Sequence, residues 1–340
     1  MSFTLCAPPD RRHTLQRYNT GMRIVVLGAG GARKTEASIV RAARSLGHGC
    51  RLVDVVRWRR YAGAWSGPLV SYLTHSFEPD FVLLTRHAIE LGEPTLKRLL
   101  RGREAAFWYF DFEPKEKVLS LAGMVGRMYV TCLPHVDYYR RAGVEEVHFM
   151  PQGVDPEHDV PADAAPRQYH CDTSFVGSGQ ATHRYAVLRA VAAVSRLQIR
   201  GHGWKTAPVD LPVVGGPVYG NRLRQVILGA SISLGANSHP AQDTERASVS
   251  NRMWKVLGCR GFYLGRRVDD IESFARDGLH CAWYRDETHA AELTRHYLSQ
   301  PEARDRIAQA GRAHALGHHT YAHRLALLLD RKGYSLQTIL

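Results

Sequence analysis

The feature that most constrains the fold of this chain is a pattern of strand, glycine loop, helix and strand that occurs twice. The first copy runs from the apolar segment 23–27 through Gly28-Ala29-Gly30-Gly31 to a second apolar segment at 52–56. The second copy runs from 172–176 through a glycine loop to 197–200. Buried strands that alternate with helices are typical of a parallel, doubly wound sheet. The sequence therefore predicts two α/β domains.

A proline-rich stretch separates the two copies. Pro151, Pro156, Pro161 and Pro166 lie there without apolar periodicity, which is typical of an interdomain linker. The predicted divisions are a flexible N-terminal extension at 1–21, an N-terminal Rossmann-like domain at 22–155, a linker at 156–170, a C-terminal Rossmann-like domain at 171–320 and a C-terminal helix at 321–340 that can pack back on the first domain. Since ligands of open α/β sheets bind beyond the carboxyl ends of the strands, we expect the two domains to face a shared cleft.

Composition argues against a membrane or secreted protein. No run of about 18 apolar residues occurs. The first residues carry Arg11 and Arg12 but no apolar segment of the kind that a secretory signal needs. The six cysteines form no Cys-x-x-Cys pair, which favours reduced thiols over disulfides or a zinc site. We therefore expect a cytoplasmic protein.

The chain is strongly basic, with a formal net charge of +13. A basic surface attracts phosphate-bearing partners such as nucleotides, nucleic acid or anionic lipid. A solvated, arginine-rich surface without such a partner is the alternative, and charge alone does not separate the two.

The first candidate site is the loop at Gly28, Gly30 and Gly31, which follows a strand and precedes a helix. That context suits a phosphate-binding turn. The third glycine of the dinucleotide fingerprint would fall at Arg33, although Asp54 could act as the ribose-binding acid. A nicotinamide-dependent oxidoreductase is thus a weak alternative, and the loop is interpreted as a tight turn or as part of the cleft.

Two further motifs lie in the second half of the chain. Gly177 and Ser178 follow a strand, and small residues there let backbone amides approach a diphosphate that Arg184 could pair with. Ser250-Asn251-Arg252 opens a helix whose first residues can cap it. Because a helix N-terminus attracts anions, a cation as early as Arg252 suggests that an anionic ligand binds there.

The segment Asp172 to Tyr321 resembles the C-terminal domain of the CgeB-like, group 1-type glycosyltransferases. The matching pieces, in family order, are Asp172-x-x-Phe175-Val176-Gly177-Ser178, Arg184, Ile199-x-Gly201-x-Gly203-Trp204, Val218-Tyr219-Gly220, Ser250-Asn251-Arg252, Leu257-Gly258-Cys259-x-Gly261-Phe262-Tyr263-Leu264, Pro301-Glu302-x-Arg304 and His319-Thr320-Tyr321-x-x-Arg324. The resemblance implies a GT-B fold, in which two Rossmann-like, doubly wound domains face a cleft. It implies a glycosyltransferase, with the donor held mainly by the second domain.

The resemblance also assigns donor-binding residues. It places Gly201, Trp204 and Tyr219 near the nucleobase, and Arg184 and Ser250-Asn251-Arg252 near the diphosphate. Many relatives carry a glutamate that binds the ribose, whereas this chain has Lys255 at that position. Either the ribose is held otherwise, or Lys255 contacts phosphate or sugar.

The predicted reaction moves a sugar from a nucleoside-diphosphate sugar, with a UDP-sugar as the first choice, and uses no other cofactor. Arg184, Arg252 and Lys255 can stabilise the charge of the departing diphosphate without a metal, and no Asp-x-Asp motif occurs. An inverting reaction needs a base from the first domain, for which Asp111 is the first candidate, followed by Glu113 and His87. A retaining reaction needs no such base, and the residues are compatible with both.

Basic residues of the first domain suggest where an acceptor binds. Arg57, Arg59 and Arg60 alternate with aromatic residues, and Lys97 and Arg101 lie on or beside another helix. Such a surface suits a polyanion, for example DNA in which a hydroxymethyl-pyrimidine is glucosylated, as GT-B enzymes of some phages do. A surface glycan, a lipid or a protein is the alternative acceptor. A non-enzymatic nucleotide- or nucleic-acid-binding protein on the same pair of domains is the alternative of another class.

Overall fold

The first domain is built on a six-stranded parallel sheet. The computed structural model describes residues 21–111, 116–206, 208–236 and 249–336. The strands of the first sheet are β1 (Arg23–Gly28), β2 (Gly49–Asp54), β3 (Phe81–Leu84), β4 (Glu104–Tyr109), β5 (Arg127–Val130) and β6 (Glu146–Phe149). They pair in the order β2-β1-β3-β4-β5-β6. The helices of this domain are α1 (Thr35–Ser45), α2 (Val55–Ala62), α3 (Ser66–His75), α4 (Glu93–Leu100), α5 (Glu116–Val125) and α6 (Pro134–Arg141).

The second domain repeats this architecture. Its strands are β7 (Cys171–Val176), β8 (Leu197–Arg200), β9 (Val213–Gly215), β10 (Ala230–Leu234), β11 (Tyr263–Arg266) and β12 (Ala282–Tyr284). They form a second parallel sheet in the order β12-β11-β10-β7-β8-β9. The helices are α7 (Tyr185–Ala192), α8 (Asn221–Gly229), α9 (Asn251–Gly258), α10 (Glu287–Leu298), α11 (Pro301–His318) and α12 (Tyr321–Leu329). The prediction of two doubly wound domains is confirmed.

The central strands could be predicted from the sequence because both of their faces are buried. All four residues of β3 are buried, and five of the six in β1. Strands buried on both sides read as continuous apolar runs. The short edge strands β9 and β12 were not predicted, since three residues carry no periodicity.

Two elements of the second domain are bounded by residues that interrupt the regular backbone. α7 ends at Ala192, and Ser195 donates its hydroxyl to the Val191 carbonyl. A short polar side chain that binds the backbone in this way competes with helix continuation. β11 starts at Tyr263, three residues after Arg260, which adopts a left-handed conformation with φ of 60°.

The C-terminal helix α12 packs against the first domain. Tyr129 donates its hydroxyl to the Leu328 carbonyl at 3.1 Å, and the Tyr334 amide donates to the Phe149 carbonyl at 2.7 Å. The chain therefore leaves the first domain after β6 and returns to it at its end. The residue boundaries given above for the domains and linker remain a prediction.

A cluster of histidines lies where this return begins. The rings of His280 and His314 stack with centroids 4.0 Å apart, and the Nε2 atoms of His314 and His319 are 3.2 Å apart. His319 is fully buried, and its Nδ1 lies 2.8 Å from the Arg324 guanidinium, which can only donate. Burial, followed by neighbouring cations, lowers the pKa of His319, and the same causes lower the pKa of His280 to about 4.

This cluster predicts that the protein loses stability in mild acid. In the unfolded chain the histidines bind a proton near pH 6.5, whereas in the folded protein they resist protonation. The unfolded state therefore binds more protons between about pH 6.5 and 4, and stability falls as pH falls through that window. Arg276, Arg324, His318 and His323 face the cluster and add to the cost of a proton there.

We expect the free energy of unfolding in urea to be lower at pH 5 than at pH 7 by at least about 1 kcal/mol. The variant His280→Gln should reduce that difference, because it removes one of the groups concerned. The exposed His296 on α10 provides the matched control, His296→Gln. An unfolding free energy that is equal at both pH values would contradict the prediction.

Candidate functional site

Two arginines converge on one aromatic ring at the carboxyl end of β7. The guanidinium carbons of Arg252 and Arg184 lie 4.7 and 5.6 Å from the ring centroid of Phe175. Arg184 is buried, and its Nη1 donates to the Ser178 carbonyl at 2.6 Å. Burial, followed by the charge of Arg252, lowers the pKa of Arg184 to about 10, and burial lowers that of Arg252. An anion between the two cations would offset both effects.

Arg252 is fixed in place by the start of α9. Ser250 caps this helix, with its hydroxyl accepting from the Arg252 amide at 3.3 Å. The Arg252 side chain donates to the carbonyls of Val176 at 2.6 Å and Ala236 at 3.3 Å. Because α9 points its N-terminus at this position, the helix dipole and the guanidinium act on the same place.

Asn251, the first residue of α9, has an unmet hydrogen-bonding group. Its Oδ1 is buried and has no hydrogen-bond partner among the described residues. A buried acceptor without a partner is costly in a folded protein. A ligand hydroxyl could supply the missing donor. Ser250, Asn251 and Arg252 thus lie together at the N-terminus of α9.

The loop after β7 is closely packed at Gly177 and against Gly201. A side chain at Gly177 would place its Cβ 2.5 Å from the Arg252 Nη2 atom, and one at Gly201 would overlap the Gly177 carbonyl oxygen. Trp204 donates its indole N–H to that same carbonyl at 2.9 Å, and it is buried. Gly201 and Trp204 therefore hold the shape of the loop. Ser178 faces back into the loop and accepts from the Gln180 amide at 3.2 Å.

Tyr219 lies beyond the carboxyl end of β9, where the first domain approaches the second. Its side chain is exposed, as a ring that stacks on a ligand base would be. The neighbouring Gly220 lies beside Arg33 of the first domain, whose Cδ would be 3.4 Å from a Cβ added at Gly220. The cleft between the domains thus passes beside Tyr219.

Lys255 points to the segment that joins the domains. Its ammonium lies 3.2 Å from Asp159 Oδ1, and this ion pair is partly buried. Asp155, four residues earlier, binds Arg41 of α1 at 2.5 Å. The two carboxylates therefore tie the crossing segment to both domains, and Lys255 is engaged there on the second-domain side.

The loop at Gly28, Gly30 and Gly31 already holds a carboxylate. The buried Glu36 accepts from the Ala29 amide at 3.2 Å and from the Thr85 hydroxyl at 2.9 Å. Asp54 caps α2 by accepting from the Arg57 amide at 2.9 Å. A dinucleotide phosphate would have to displace Glu36, and a ribose would have to displace the cap. This geometry favours the interpretation as a tight turn that lines the cleft.

Asp111 follows β4 at the edge of the first sheet that faces the cleft. Its Oδ2 lies 2.5 Å from Arg86 Nη1. His87 is next to this pair, with its Nε2 3.4 Å from Arg86 Nε and its Nδ1 3.5 Å from Glu90. Glu113 falls outside the described residues. The structure thus brings Asp111 and His87 together around Arg86.

The basic residues of the first domain separate into two groups. Arg57, Arg59 and Arg60 lie on α2, which starts at the carboxyl end of β2, and Arg59 binds Glu90 at 3.2 Å. Lys97 lies on α4 and is paired with Glu93. Arg101 follows α4 and precedes β4, so it lies at the opposite, amino-terminal edge of the sheet. The second group is therefore separated from the cleft side.

Sequence reasoning missed several residues that surround Arg184. They line a small pocket. Its walls are His183, Arg184, Val187, Ala236, Arg266, Tyr284, Asp286 and Glu287. For Ala236 and Arg266, the signal available in the sequence was their position at or just after the carboxyl ends of β10 and β11, where ligands of such sheets bind.

Neither a metal cluster nor a bilayer-crossing segment is found in the described parts of the chain. No group of three or more His, Cys, Asp or Glu side chains there could hold a metal ion. No helix in those parts combines the length and the apolar character that crossing a bilayer requires.

The sequence of the second domain matches a known family. Residues 183–330 match the family model described as Glycosyl transferase-like, a span that begins just before α7 and includes all of α12. No curated protein is significantly similar to the sequence.

Solved structures match nearly the whole chain. An alpha-glucosyltransferase in complex with UDP is 12% identical, with a TM-score of 0.65 over 91% of this chain and 99% of that chain. An alpha-glucosyltransferase with UDP and a 13-mer DNA containing a central A:G mismatch is 12% identical, with a TM-score of 0.63 over the same shares. HepE of Anabaena in complex with UDP-glucose is 11% identical, with a TM-score of 0.63 over 91% and 99%.

At these identities the likeness shows the fold, and the fold is GT-B. Residues 183–330 of the second domain match the glycosyl transferase-like family model. The fold and the family match together identify the chain as a glycosyltransferase, which confirms both the predicted fold and the predicted class of enzyme.

Proposed function

We propose that this glycosyltransferase takes its sugar from a UDP-sugar and binds the diphosphate between Arg184 and Arg252. The observation that carries the proposal is the convergence of both guanidiniums on Phe175 at the N-terminus of α9. Structures of the same fold bind UDP or UDP-glucose, which supports a uridine donor. Tyr219, exposed at the cleft, is the proposed platform for the base.

The same residues would act in the chemical step. As the bond between sugar and phosphate breaks, negative charge develops on the departing diphosphate while the sugar becomes oxocarbenium-like. In this proposal Arg252, Arg184 and the amides of α9 face that charge before the reaction, so little reorganisation is needed. Lys255 contributes indirectly in this proposal, because its ion pair with Asp159 anchors α9 to the crossing segment.

The proposed acceptor is a hydroxymethyl-pyrimidine in DNA. It is supported by the basic residues on α2 at the cleft side of the first domain, and by the structural neighbour that was solved with UDP and DNA. The target base would leave the helix to reach the cleft. A surface glycan, a lipid and a protein are the competing acceptors, and the acceptor screen below includes them.

Asp111 is the proposed base if the reaction inverts the sugar. It stands at the carboxyl end of β4, and Arg86 holds its carboxylate in one orientation. For Asp111 to accept a proton, the acceptor hydroxyl would have to bind on the side of the carboxylate away from Arg86. His87 is the alternative base at the same edge.

We expect the purified protein to release UDP from a UDP-sugar in the presence of an acceptor, and to do so equally well in excess EDTA. The arginines replace a metal in neutralising the diphosphate, so chelation should change the rate by less than about twofold. The measurement is UDP release across UDP-, GDP-, ADP- and dTDP-sugars, with DNA containing hydroxymethylcytosine, lipid extracts, glycans and peptides as acceptors.

Each part of the proposal fails on a separate result. A rate that EDTA abolishes and Mg²⁺ or Mn²⁺ restores would overturn the metal-independent mechanism. Release of GDP alone would overturn the uridine donor, and transfer only to a glycan, lipid or peptide would overturn the DNA acceptor.

A further inference from the structure

The most exposed aromatic side chains of the described residues lie together on one part of the first domain. Tyr61, Trp65 and Tyr72 are 72%, 76% and 68% exposed. Exposing aromatic rings of this size to water is unfavourable, and contiguous exposed apolar surface marks interaction sites. We call this surface, from Val55 to Phe77, the α2–α3 face.

The geometry of the helices keeps these rings on one part of the molecule. α2 packs against α3, and the short 3-10 turn at Gly63–Trp65 joins them. Trp65 immediately precedes α3, and Tyr72 comes seven residues later, which is two helical turns on the same side. Tyr61 lies in the last turn of α2, directly before the turn.

The α2–α3 face is also purely basic. The sequence contains no Asp or Glu between Asp54 and Glu78, while Arg57, Arg59 and Arg60 fall inside that stretch. Arg59 is paired with Glu90, but neither Arg57 nor Arg60 forms an ion pair with a carboxylate of the described residues. Both of these arginines are exposed.

The free arginines and the aromatic rings occur side by side. The Arg57 guanidinium lies 5.4 Å from the ring centroid of Trp58, and that of Arg60 lies 5.9 Å from the ring of Tyr61. Cations that alternate with exposed aromatic rings bind a chain that alternates phosphates with flat bases. The charge of the face is complementary to that of a nucleic acid backbone.

The face begins at the cleft. Asp54, whose side chain caps α2, is in contact with Gly30 of the cleft loop. Arg59 reaches Glu90, which lies in the turn that follows β3. A strand that lay along α2 would therefore end at the edge of the first sheet where Asp111 stands.

We propose that the α2–α3 face binds unpaired nucleotides of a nucleic acid strand, with Tyr61, Trp65 and Tyr72 stacking on the bases and Arg57 and Arg60 pairing with phosphates. Stacking of this kind requires open base faces, which a continuous duplex does not offer. The inference rests on the proposed DNA acceptor and sharpens it. The face holds the strand beside the target nucleotide in its opened state.

The test uses the full-length protein and fluorescence anisotropy with a fluorescein-labelled 20-nucleotide single strand of mixed sequence. The same sequence as a duplex and vesicles of phosphatidylcholine with anionic phosphatidylglycerol serve as competing probes. We expect the single strand to bind more tightly than the duplex. The triple variant Tyr61→Ala/Trp65→Ala/Tyr72→Ala should weaken single-strand binding at least about tenfold.

A second variant tests the phosphate contacts. The double variant Arg57→Gln/Arg60→Gln should make the slope of the logarithm of the binding constant against the logarithm of the salt concentration shallower by roughly one to two. Tyr138→Ala, which removes an exposed ring on α6, is the matched control and should bind like the wild type. All the replaced side chains of the α2–α3 face are exposed, so the variants should keep the wild-type melting temperature and UDP affinity.

Two results would overturn the inference: unchanged single-strand binding by the triple variant, or loss of vesicle binding alone in that variant, which would make the face a lipid-binding surface. Failure of the donor proposal gives a different pattern. In that case no sugar nucleotide yields free nucleoside diphosphate, while single-strand binding still depends on Tyr61, Trp65 and Tyr72.

Discussion

Replacing Arg252 by glutamine should lower the rate of sugar transfer by about 100- to 1,000-fold while the protein stays folded. In the proposed mechanism this side chain contributes a charge at the point where the departing diphosphate becomes negative, and removal of one such group in other enzymes has an effect of this size. Glutamine can still donate to the Val176 carbonyl, so the loop after β7 keeps a partner. The measurement is kcat/KM for UDP-sugar turnover, together with the affinity for UDP.

Two comparisons make the Arg252 result interpretable. Arg252→Lys retains the charge but not the planar guanidinium that donates to two carbonyls. We therefore expect a loss of kcat/KM that is smaller than that of Arg252→Gln. Arg260→Gln removes an exposed arginine just after α9, where it pairs with Asp305, and should leave turnover unchanged. Turnover by Arg252→Gln within about threefold of the wild type would remove this arginine from the mechanism.

The proposed donor site could be put forward from the sequence because its signals are local in sequence. Ser250, Asn251 and Arg252 are consecutive, and the cap, the helix start and the early cation could all be read from the sequence. The same holds for Gly177, which follows a buried strand directly. What the sequence could not show was Phe175 as the ring that both arginines share, since that depends on a contact between residues 77 positions apart.

The roles that sequence reasoning could not settle all depend on distant partners. Lys255 is 96 residues from the Asp159 carboxylate that holds it, so no spacing rule could have paired them. Glu36 occupies the glycine loop because it also reaches Thr85, which directly follows β3, a strand that only the sheet order brings alongside. The glycine motif predicted the loop, but it did not predict that the Glu36 carboxylate fills the loop.

The basic residues of the first domain show the same limit. Arg60 and Arg101 look alike in sequence, since each is a basic residue in a stretch between two strands of the first domain. In a parallel sheet, however, a helix begins at the carboxyl edge and ends at the amino edge. Arg60 remains near the carboxyl edge because α2 is short and is followed by α3, whereas α4 leads Arg101 directly into β4 at the amino edge.

The largest structural effect should come from Gly201→Ala. An added Cβ would overlap the carbonyl oxygen of Gly177 and lie 2.7 Å from its carbonyl carbon. Both are backbone atoms in neighbouring strand ends, held by the hydrogen bond from the Gly177 amide to the Arg200 carbonyl at 2.9 Å. Neither side can yield by rotating a side chain, so we expect a loss of about 3 kcal/mol or more in folding free energy.

Function should suffer beyond the loss of stability. Movement of Gly177 would displace the carbonyl that Trp204 binds and the neighbouring Arg252 guanidinium. The folded fraction of Gly201→Ala should therefore bind UDP at least about tenfold more weakly. Urea unfolding measures the first effect, and calorimetric titration with UDP at 10 °C, where the variant remains folded, measures the second.

Gly216→Ala is the matched control, since it lies just beyond β9 and an added Cβ there would meet no atom within 4 Å. Its free energy of unfolding and its affinity for UDP should equal those of the wild type. If Gly201→Ala also has the same free energy of unfolding as the wild type, the ends of β7 and β8 do not approach each other as closely as described. If Gly201→Ala is destabilised but keeps full UDP affinity, the loop at Gly177 is a structural turn and the donor is held elsewhere.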